Sequence, residues 1–242
     1  MINIALVGAS GKMGRAVIKE IMNDDSIEVT NFIVSDSSKY LGSDVGAHHF
    51  SEPSGSFFSK KVEKPFDCIV DFATRENIET RLSWYRELKK PLLFCTTGLS
   101  QEQMEELKIL SNDFPIFIAP NTSVLTALMT NLLTTINKVQ GSYEINISEK
   151  HHKTKIDAPS GTAISLAKSA NIEEKKIKSM REGEHGNWHK ATISNDFEEL
   201  EIKHSTANRN IYAQGALNIV KWFYQKPKNL YYMQTLIEDL YE

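Results

Sequence analysis

The sequence predicts an α/β protein in two parts: a doubly wound parallel sheet at the N-terminus, then a second, smaller α+β domain. Three observations carry this. Short apolar, β-branched runs recur through the first half with helical stretches between them. A glycine-rich turn joins the first run to the first helix. After Asn121 the pattern changes: a long helical stretch is followed by segments that alternate polar and apolar residues, as half-buried strands do.

Ile2–Val7 is the first strand, apolar on both faces as a covered parallel strand must be. It ends at Gly8, and Gly8, Gly11 and Gly14 form G-x-x-G-x-x-G. From Met13 the apolar spacing (Met13, Val17, Ile18, Ile21) is helical. A tight turn into a helix N-terminus lets backbone N–H groups and the helix dipole meet a pyrophosphate, so this loop is a dinucleotide-binding candidate. Further strands are expected at Val29–Val34, Cys68–Phe72, Leu92–Thr96 and Ile116–Ala119. Helices are expected at Arg75–Lys89 and at Gln101–Asn112, the second capped by Ser100. Ser35–Lys64 reads as loop.

Ligands of such sheets bind beyond the strand ends, which here carry Asp71-Phe72-Ala73-Thr74 and Thr96-Thr97-Gly98. These residues are candidates to line the nicotinamide end of a cofactor, or are turn and cap residues. Asp36, after the second strand, suits the adenosine ribose hydroxyls of NAD; Lys12 and Lys39 suit the 2′-phosphate of NADP. Both cofactors stay open.

In the second half, Val124–Val139 reads as one helix and Tyr143–Ile147 as a strand. A helix from Ser160 to Lys168 follows, then strands at Ile193–Ser194 and Glu199–His204. Gln214–Phe223 and Leu230–Leu240 read as helices separated by Pro227. The expected domains are residues 1–121, completed by 214–242, and residues 122–213.

Composition excludes several classes. Of 242 residues, 40% are hydrophobic and 24% charged, and the formal net charge of −3 gives no reason to expect nucleic acid or an anionic membrane. No apolar run approaches the roughly 20 residues that span a bilayer, and the N-terminus lacks an export signal. Cys68 and Cys95 sit in apolar runs and form neither a disulfide framework nor a metal knuckle, so a reducing cytoplasm is expected.

The segment SEKHHKTKIDAPSGTA, residues 148–163, gathers His151, His152, Lys150, Lys153 and Lys155 ahead of Pro159-Ser160-Gly161-Thr162 and a helix. Imidazoles transfer protons, lysines attract anions, and a helix start with hydroxyls receives a carboxylate. In an extended chain, His151 and His152 point to opposite sides and cannot share one task. No metal is expected. Glu184, His185 and His189 have a ligand-like spacing, but the glycines around them argue against the helix that would converge them.

V-G-A-S-G-K-M-G-R at 7–15 together with E-K-H-H-K-T-K-I-D-A-P-S-G-T-A at 149–163 resembles the dihydrodipicolinate reductase family. Asp71-Phe72, Thr96-Thr97-Gly98, Asn121 with Ser123, Arg181-Glu182-Gly183, and Arg209 ahead of Ala213-Gln214-Gly215-Ala216 extend the resemblance over nearly the whole chain. It implies a Rossmann-type first domain and an oxidoreductase using NADH or NADPH. The substrate implied is a small cyclic dicarboxylate, reduced to tetrahydrodipicolinate in the diaminopimelate route to lysine. By position, His151 is implied as the acid–base residue and Lys155 as proton donor; His152, Lys155, Ser160, Gly161 and Thr162 are implied to hold the substrate carboxylates. Gly8, Ala9, Ser10, Gly11, Lys12, Met13 and Gly14 are implied to cradle the cofactor, with Asp36, Phe72, Thr96, Thr97, Gly98 and Asn121 around it. A homotetramer joined through the second domain is also implied. Thr122, Leu125 and a short stretch before Ile193 depart from the family pattern.

Overall fold

The computed structural model describes residues 1–139, 143–184 and 186–240. The chain forms two compact units, one from Met1–Thr122 with Asn210–Glu242 and one from Ser123–Arg209.

The first unit is built on β1 (Ile2–Val7), β2 (Ile27–Ile33), β3 (Phe58–Ser59), β4 (Cys68–Asp71), β5 (Leu92–Phe94) and β6 (Ile116–Ile118). Its helices are α1 (Lys12–Ile21), α2 (Val45–Phe50), α3 (Ile78–Leu88) and α4 (Gln101–Leu110). Alternate residues of the central strands go to opposite faces. Ile4, Leu6, Val70, Leu93 and Phe117 pack on one side, and Ala5, Val7, Ile69, Phe94 and Ile116 on the other. A strand covered on both faces needs this continuous apolar run, which is why the sheet was legible in the sequence. Each such buried Leu, Ile or Phe contributes about 1.5–3 kcal/mol relative to exposure.

The second unit contains α5 (Val124–Ile136), β7 (Glu144–His151), α6 (Gly161–Ser169), a 3₁₀ turn at Glu174–Lys176, β8 (Lys178–Arg181), β9 (Asn187–Ser194) and β10 (Glu199–Thr206). Its sheet runs β10-β9-β7-β8, with β7 and β9 antiparallel and β8 parallel to β7. Met129, Leu133, Ile147, Leu166, Ala191 and Ile193 form its core.

The chain returns to the first unit with α7 (Asn210–Phe223), β11 (Leu230–Tyr232) and α8 (Met233–Asp239). Strand β11 pairs in parallel with β6, so the seven-stranded sheet runs β11-β6-β5-β4-β1-β2-β3. This order reverses direction between β1 and β4, the place where doubly wound sheets take ligands.

Several expectations are corrected. Ser35–Lys64 holds α2 and β3: Asp44 caps α2 through Ala47 N and also accepts from Ser54 N and Gly55 N, closing a compact loop. Helix α3 starts at Ile78 rather than at Arg75, because Asn77 adopts a left-handed conformation, φ 54°. Helix α5 stops at Ile136, where Lys138 N and Val139 N bond back three residues to Thr135 and Ile136. Leu230–Tyr232, read as helix, is an edge strand, consistent with its aromatic residues. Helix α7 starts at Asn210, so residues 210–213 belong with the first unit. The stretch before Ile193 is strand from Asn187 onward; its covered face carries His189 and Ala191, which weaken the apolar signal. Strand β8, KSMR, has no apolar periodicity to reveal it.

Candidate active site

In the first unit, β1 delivers the chain into the glycine loop beside the end of β4. Gly8 N and Ala9 N both donate to Ile33 O, which ties the loop to β2. Gly8 has φ 78°, and a Cβ there would lie 2.7 Å from Ala73 N. A Cβ on Gly14 would collide with the Ala9 backbone. Gly11 stands at the start of α1 with no side-chain cap, so the first-turn N–H groups are not taken by a side chain. Ser10 and Met13 are half-buried, Gly11 and Lys12 exposed. An uncapped helix start, approached by a loop that leaves no room for a side chain at Gly8 or Gly14, fits the pyrophosphate of a dinucleotide. Gly8→Ala is expected to cost about 1–3 kcal/mol in strain and to raise the Kd for NADH and NADPH at least tenfold; fluorescence titration measures this.

The other cofactor candidates fall around the switch point. Asp71 is fully buried, its carboxylate bonded by Ala73 N at 2.7 Å, Tyr85 Oη at 2.8 Å and Arg81 Nε at 3.1 Å. Buried Thr96 donates to Ala73 O, so the ends of β4 and β5 are cross-linked by hydrogen bonds. Phe72 is half-buried, while Thr97 and Gly98 are exposed, the latter with φ 76°. Asn121 is half-buried. Thr122 is buried and donates to Tyr212 O, which fastens the chain after β6 to α7. Asp36 is exposed, 3.9 Å from Lys60.

In the second unit, β7 alternates along its covered face. Ile147 belongs to the core, and the next two inward positions are Glu149 and His151, both buried. Glu149 has no exposure at all. Its Oε1 accepts from Arg181 Nη2 at 2.9 Å and from Ser160 N at 3.1 Å. Its Oε2 lies 2.7 Å from His151 Nδ1 and 3.9 Å from His189 Nε2. His189, from β9, stands edge-on to His151 with ring centres 5.2 Å apart, and its Nε2 is 3.1 Å from Ser160 Oγ. Ser160 is the N-cap of α6, its Oγ accepting from Ala163 N at 3.2 Å. Arg181 also donates to Asp157 O. Lys155 Nζ donates to both carboxylate oxygens of Asp157, at 2.7 and 2.8 Å.

The electrostatics follow from these contacts. Burial pushes the Glu149 carboxyl up, but Ser160, Ser179 and Arg181 outweigh it and hold it down at about 2. Burial pulls His189 down to about 4, helped by the neighbouring His151. His151 is also lowered, first by burial and then by Lys155 and Arg181, with Glu149 opposing them. The result is an ionised carboxylate beside two imidazoles that are neutral at pH 7.

The structure brings His151, Ser160 and Glu149 into one network. His152 is half-buried, its Nδ1 2.7 Å from Thr154 Oγ1, consistent with His151 and His152 serving different sides of the chain. Gly161 is exposed and Thr162 half-buried on the first turn of α6. Four members had been given no role from the sequence: Glu149, Asp157, Arg181 and His189. Glu149 was findable, since period-2 alternation from Ile145 through Ile147 puts it on the face of His151. The Glu184–His185–His189 spacing includes His185, which lies outside the described residues. Ligand atoms of Glu149, His151 and His189 fall within 4.8 Å of one another. Arg181 places a cation beside that set, and Ser160 bonds Glu149 and His189, while Glu149 Oε2, His151 Nδ1 and His189 Nδ1 have no hydrogen-bond partner among the described residues.

Comparison with known proteins places the chain in a family. The family description "Dihydrodipicolinate reductase, N-terminus" matches residues 2–122, and "Dihydrodipicolinate reductase, C-terminus" matches residues 124–237. The 4-hydroxy-tetrahydrodipicolinate reductase of Aliarcobacter butzleri is 30% identical, covering 96% of this chain and 97% of its own. That of Sulfurimonas denitrificans is 28% identical, covering 98% and 100%. Among solved structures, dipicolinate-bound dihydrodipicolinate reductase from Paenisporosarcina sp. TG-14 superposes with a TM-score of 0.76 at 21% identity, over 96% of this chain and 97% of that one. An amine dehydrogenase from Mycobacterium smegmatis shares the fold at TM-score 0.69 and 10% identity, over 97% and 95%. The chain belongs to the dihydrodipicolinate reductase family of NAD(P)H-dependent oxidoreductases.

Proposed function

We propose that the chain reduces 4-hydroxy-tetrahydrodipicolinate to tetrahydrodipicolinate, with the glycine loop holding the cofactor and the β7–α6 segment holding the substrate. One observation carries the reading. His151, Lys155 and the start of α6 belong to a single stretch of chain, in which the buried Glu149 contacts His151 and Ser160 N while Lys155 pairs with Asp157. Gly8, Ala9, Ser10, Gly11, Lys12, Met13 and Gly14 fit a bound dinucleotide, and Phe72, Thr96, Thr97, Gly98 and Asn121 border the same strand ends. Bound NADH or NADPH supplies the hydride.

The chain supplies the proton and the seat. Lys155 carries a positive charge that a substrate carboxylate can share or take from Asp157. Gly161 and Thr162 present the first turn of α6, whose dipole favours an anion. His152 offers a further donor. His151, charged in its active form, gives the proton that quenches the electron pair left when hydride reaches the unsaturated ring. A positioned acid of this kind contributes typically about 10²–10⁴-fold. Water leaves from the substrate's hydroxyl-bearing carbon, so one hydride and one proton enter for each water lost.

The reading is tested by absorbance at 340 nm. Oxidation of NADH or NADPH on addition of 4-hydroxy-tetrahydrodipicolinate supports it; cofactor binding without turnover, or turnover only of other carboxylates, overturns it. Steady-state kinetics with both cofactors decide between NADH and NADPH. Lys155→Ala is expected to raise KM for the dicarboxylate at least tenfold and to lower kcat, since the charge both binds the dianion and offsets charge in the transition state.

The same reading makes the protein a cytoplasmic homotetramer, supported by family membership and by the unpaired, buried Cys68 and Cys95. Light scattering measures the subunit number. No helix among the described residues is long and apolar enough to cross a membrane.

A further inference from the structure

We propose that Glu149 is the positioning residue of this reaction: one carboxylate oxygen holds His151 with its hydrogen on Nδ1, leaving Nε2 to pass the proton, and the other fixes the start of α6. The inference rests on the reading of His151 as the acid.

The two oxygens divide the work. Oε2 and His151 Nδ1 lie 2.7 Å apart without the alignment of a full hydrogen bond, and neither bonds elsewhere among the described residues, so each is the partner the other has within reach. An ionised carboxylate accepts only, so the neutral ring opposite it keeps its hydrogen on Nδ1. Nε2 is then the nitrogen that protonates and donates. Oε1 accepts from Ser160 N and so anchors the cap of the helix whose first turn is the carboxylate seat. His189 braces the same cap through Ser160 Oγ. Arg181, reaching over from β8, fixes the carboxylate that does both.

The charges around His151 show why a carboxylate is needed there. Its surroundings are Glu149 on its own strand, Lys155 in the following turn, Arg181 on β8 and His189 on β9. Lys155 and Arg181 both disfavour an imidazolium; Glu149 alone of these favours it. A substrate dianion brings further negative charge only when bound. Glu149 therefore keeps the acid chargeable in a pocket whose cations, required for the substrate, would otherwise discharge it.

Glu149→Gln separates these roles. The amide oxygen still accepts from Ser160 N and Arg181, while the amide NH₂ meets His151 Nδ1 and favours the opposite tautomer. We expect kcat to fall at least about tenfold, the lower end of what losing a group that orients a histidine costs. KM for the dicarboxylate should stay within about threefold, because the seat is kept. Activity requires the protonated ring, so kcat declines as pH rises through the pKa of His151, and without the carboxylate that decline should move to lower pH. Glu149→Asp, which keeps the charge, should recover part of the rate.

A Glu149→Gln enzyme with kcat within twofold of the parent, or with reduced kcat but an unmoved pH decline, overturns the proposal if His151→Gln is inactive. If His151→Gln is itself active, the reading of the acid fails instead. Should Glu149→Gln not fold by circular dichroism, ¹⁵N NMR of the native protein decides. A neutral His151 protonated on Nδ1 supports the proposal, and one protonated on Nε2 overturns it.

Discussion

Replacing His151 by glutamine is expected to lower kcat by about 10²–10⁴-fold while KM for the dicarboxylate changes by no more than a few fold. Glutamine keeps most of the volume and the hydrogen-bonding capacity of the ring. It has no proton to give near neutral pH. A group that acts only as charge develops affects the transition state and not the ground state, so the loss falls on kcat. The pH dependence gives a second check. His151 is pulled down by burial and by Lys155 and Arg181, so its charged form is populated toward the acid side of neutrality. The kcat of the parent enzyme should therefore fall as pH rises, and the residual activity of the variant should lose that dependence. Steady-state rates at 340 nm over a pH series measure both. A variant with parental kcat removes His151 from the chemistry.

Why the glycine loop was legible and the cluster of Glu149, His151, Arg181 and His189 only half so has a physical explanation. The loop is a local device: β1, Gly8, Gly11, Gly14 and α1 are contiguous, and each glycine is demanded by a neighbour a few residues or one strand away. The central sheet was equally open to reading, because strands covered on both faces must be apolar throughout. The second unit hides its logic in pairings between distant residues. Arg181 and His189 come from β8 and β9, 32 and 40 positions after Glu149, and nothing local marks them as its partners. Strand β8 is polar, and β9 sets His189 and the small Ala191 ahead of Ile193 on its inward face, so neither strand announces itself by apolar alternation. The C-terminal strand Leu230–Tyr232 escaped for a related reason. Three residues at a sheet edge have too short a period to distinguish strand from the first turn of α8.

Arg181→Met is expected to destabilise the protein by about 3–5 kcal/mol, because it strands a buried carboxylate. Glu149 is wholly inaccessible, and Arg181 is its cationic partner at 2.9 Å. Methionine keeps the stem's apolar contacts and removes only the guanidinium, so the loss reports charge rather than volume. For a chain of this length about 2–4 °C of melting temperature accompanies each kcal/mol, which gives a fall of about 6–20 °C at pH 7. The pH dependence has a definite sign. In the parent the Glu149 carboxyl is depressed to about 2 from an ordinary 4.5. Its contribution to stability is complete above pH 4.5 and disappears as pH falls through about 2. In the variant Ser160 and Ser179 still hold the carboxyl down but Arg181 does not, so it protonates at a higher pH than in the parent. The gap between the two melting temperatures should therefore be widest near neutrality, narrow below pH 4.5 and close only as pH falls through about 2. Adding Glu149→Gln to Arg181→Met removes the stranded charge and should restore part of the loss. The two changes are then coupled, by about 0.5–3 kcal/mol, where independent changes would add. Calorimetry of the four proteins measures the cycle. Additive losses would mean that Glu149 draws its stabilisation from the Ser160 side of the pocket, with the Arg181 guanidinium contributing through its bonds to Asp157 O and Met180 O.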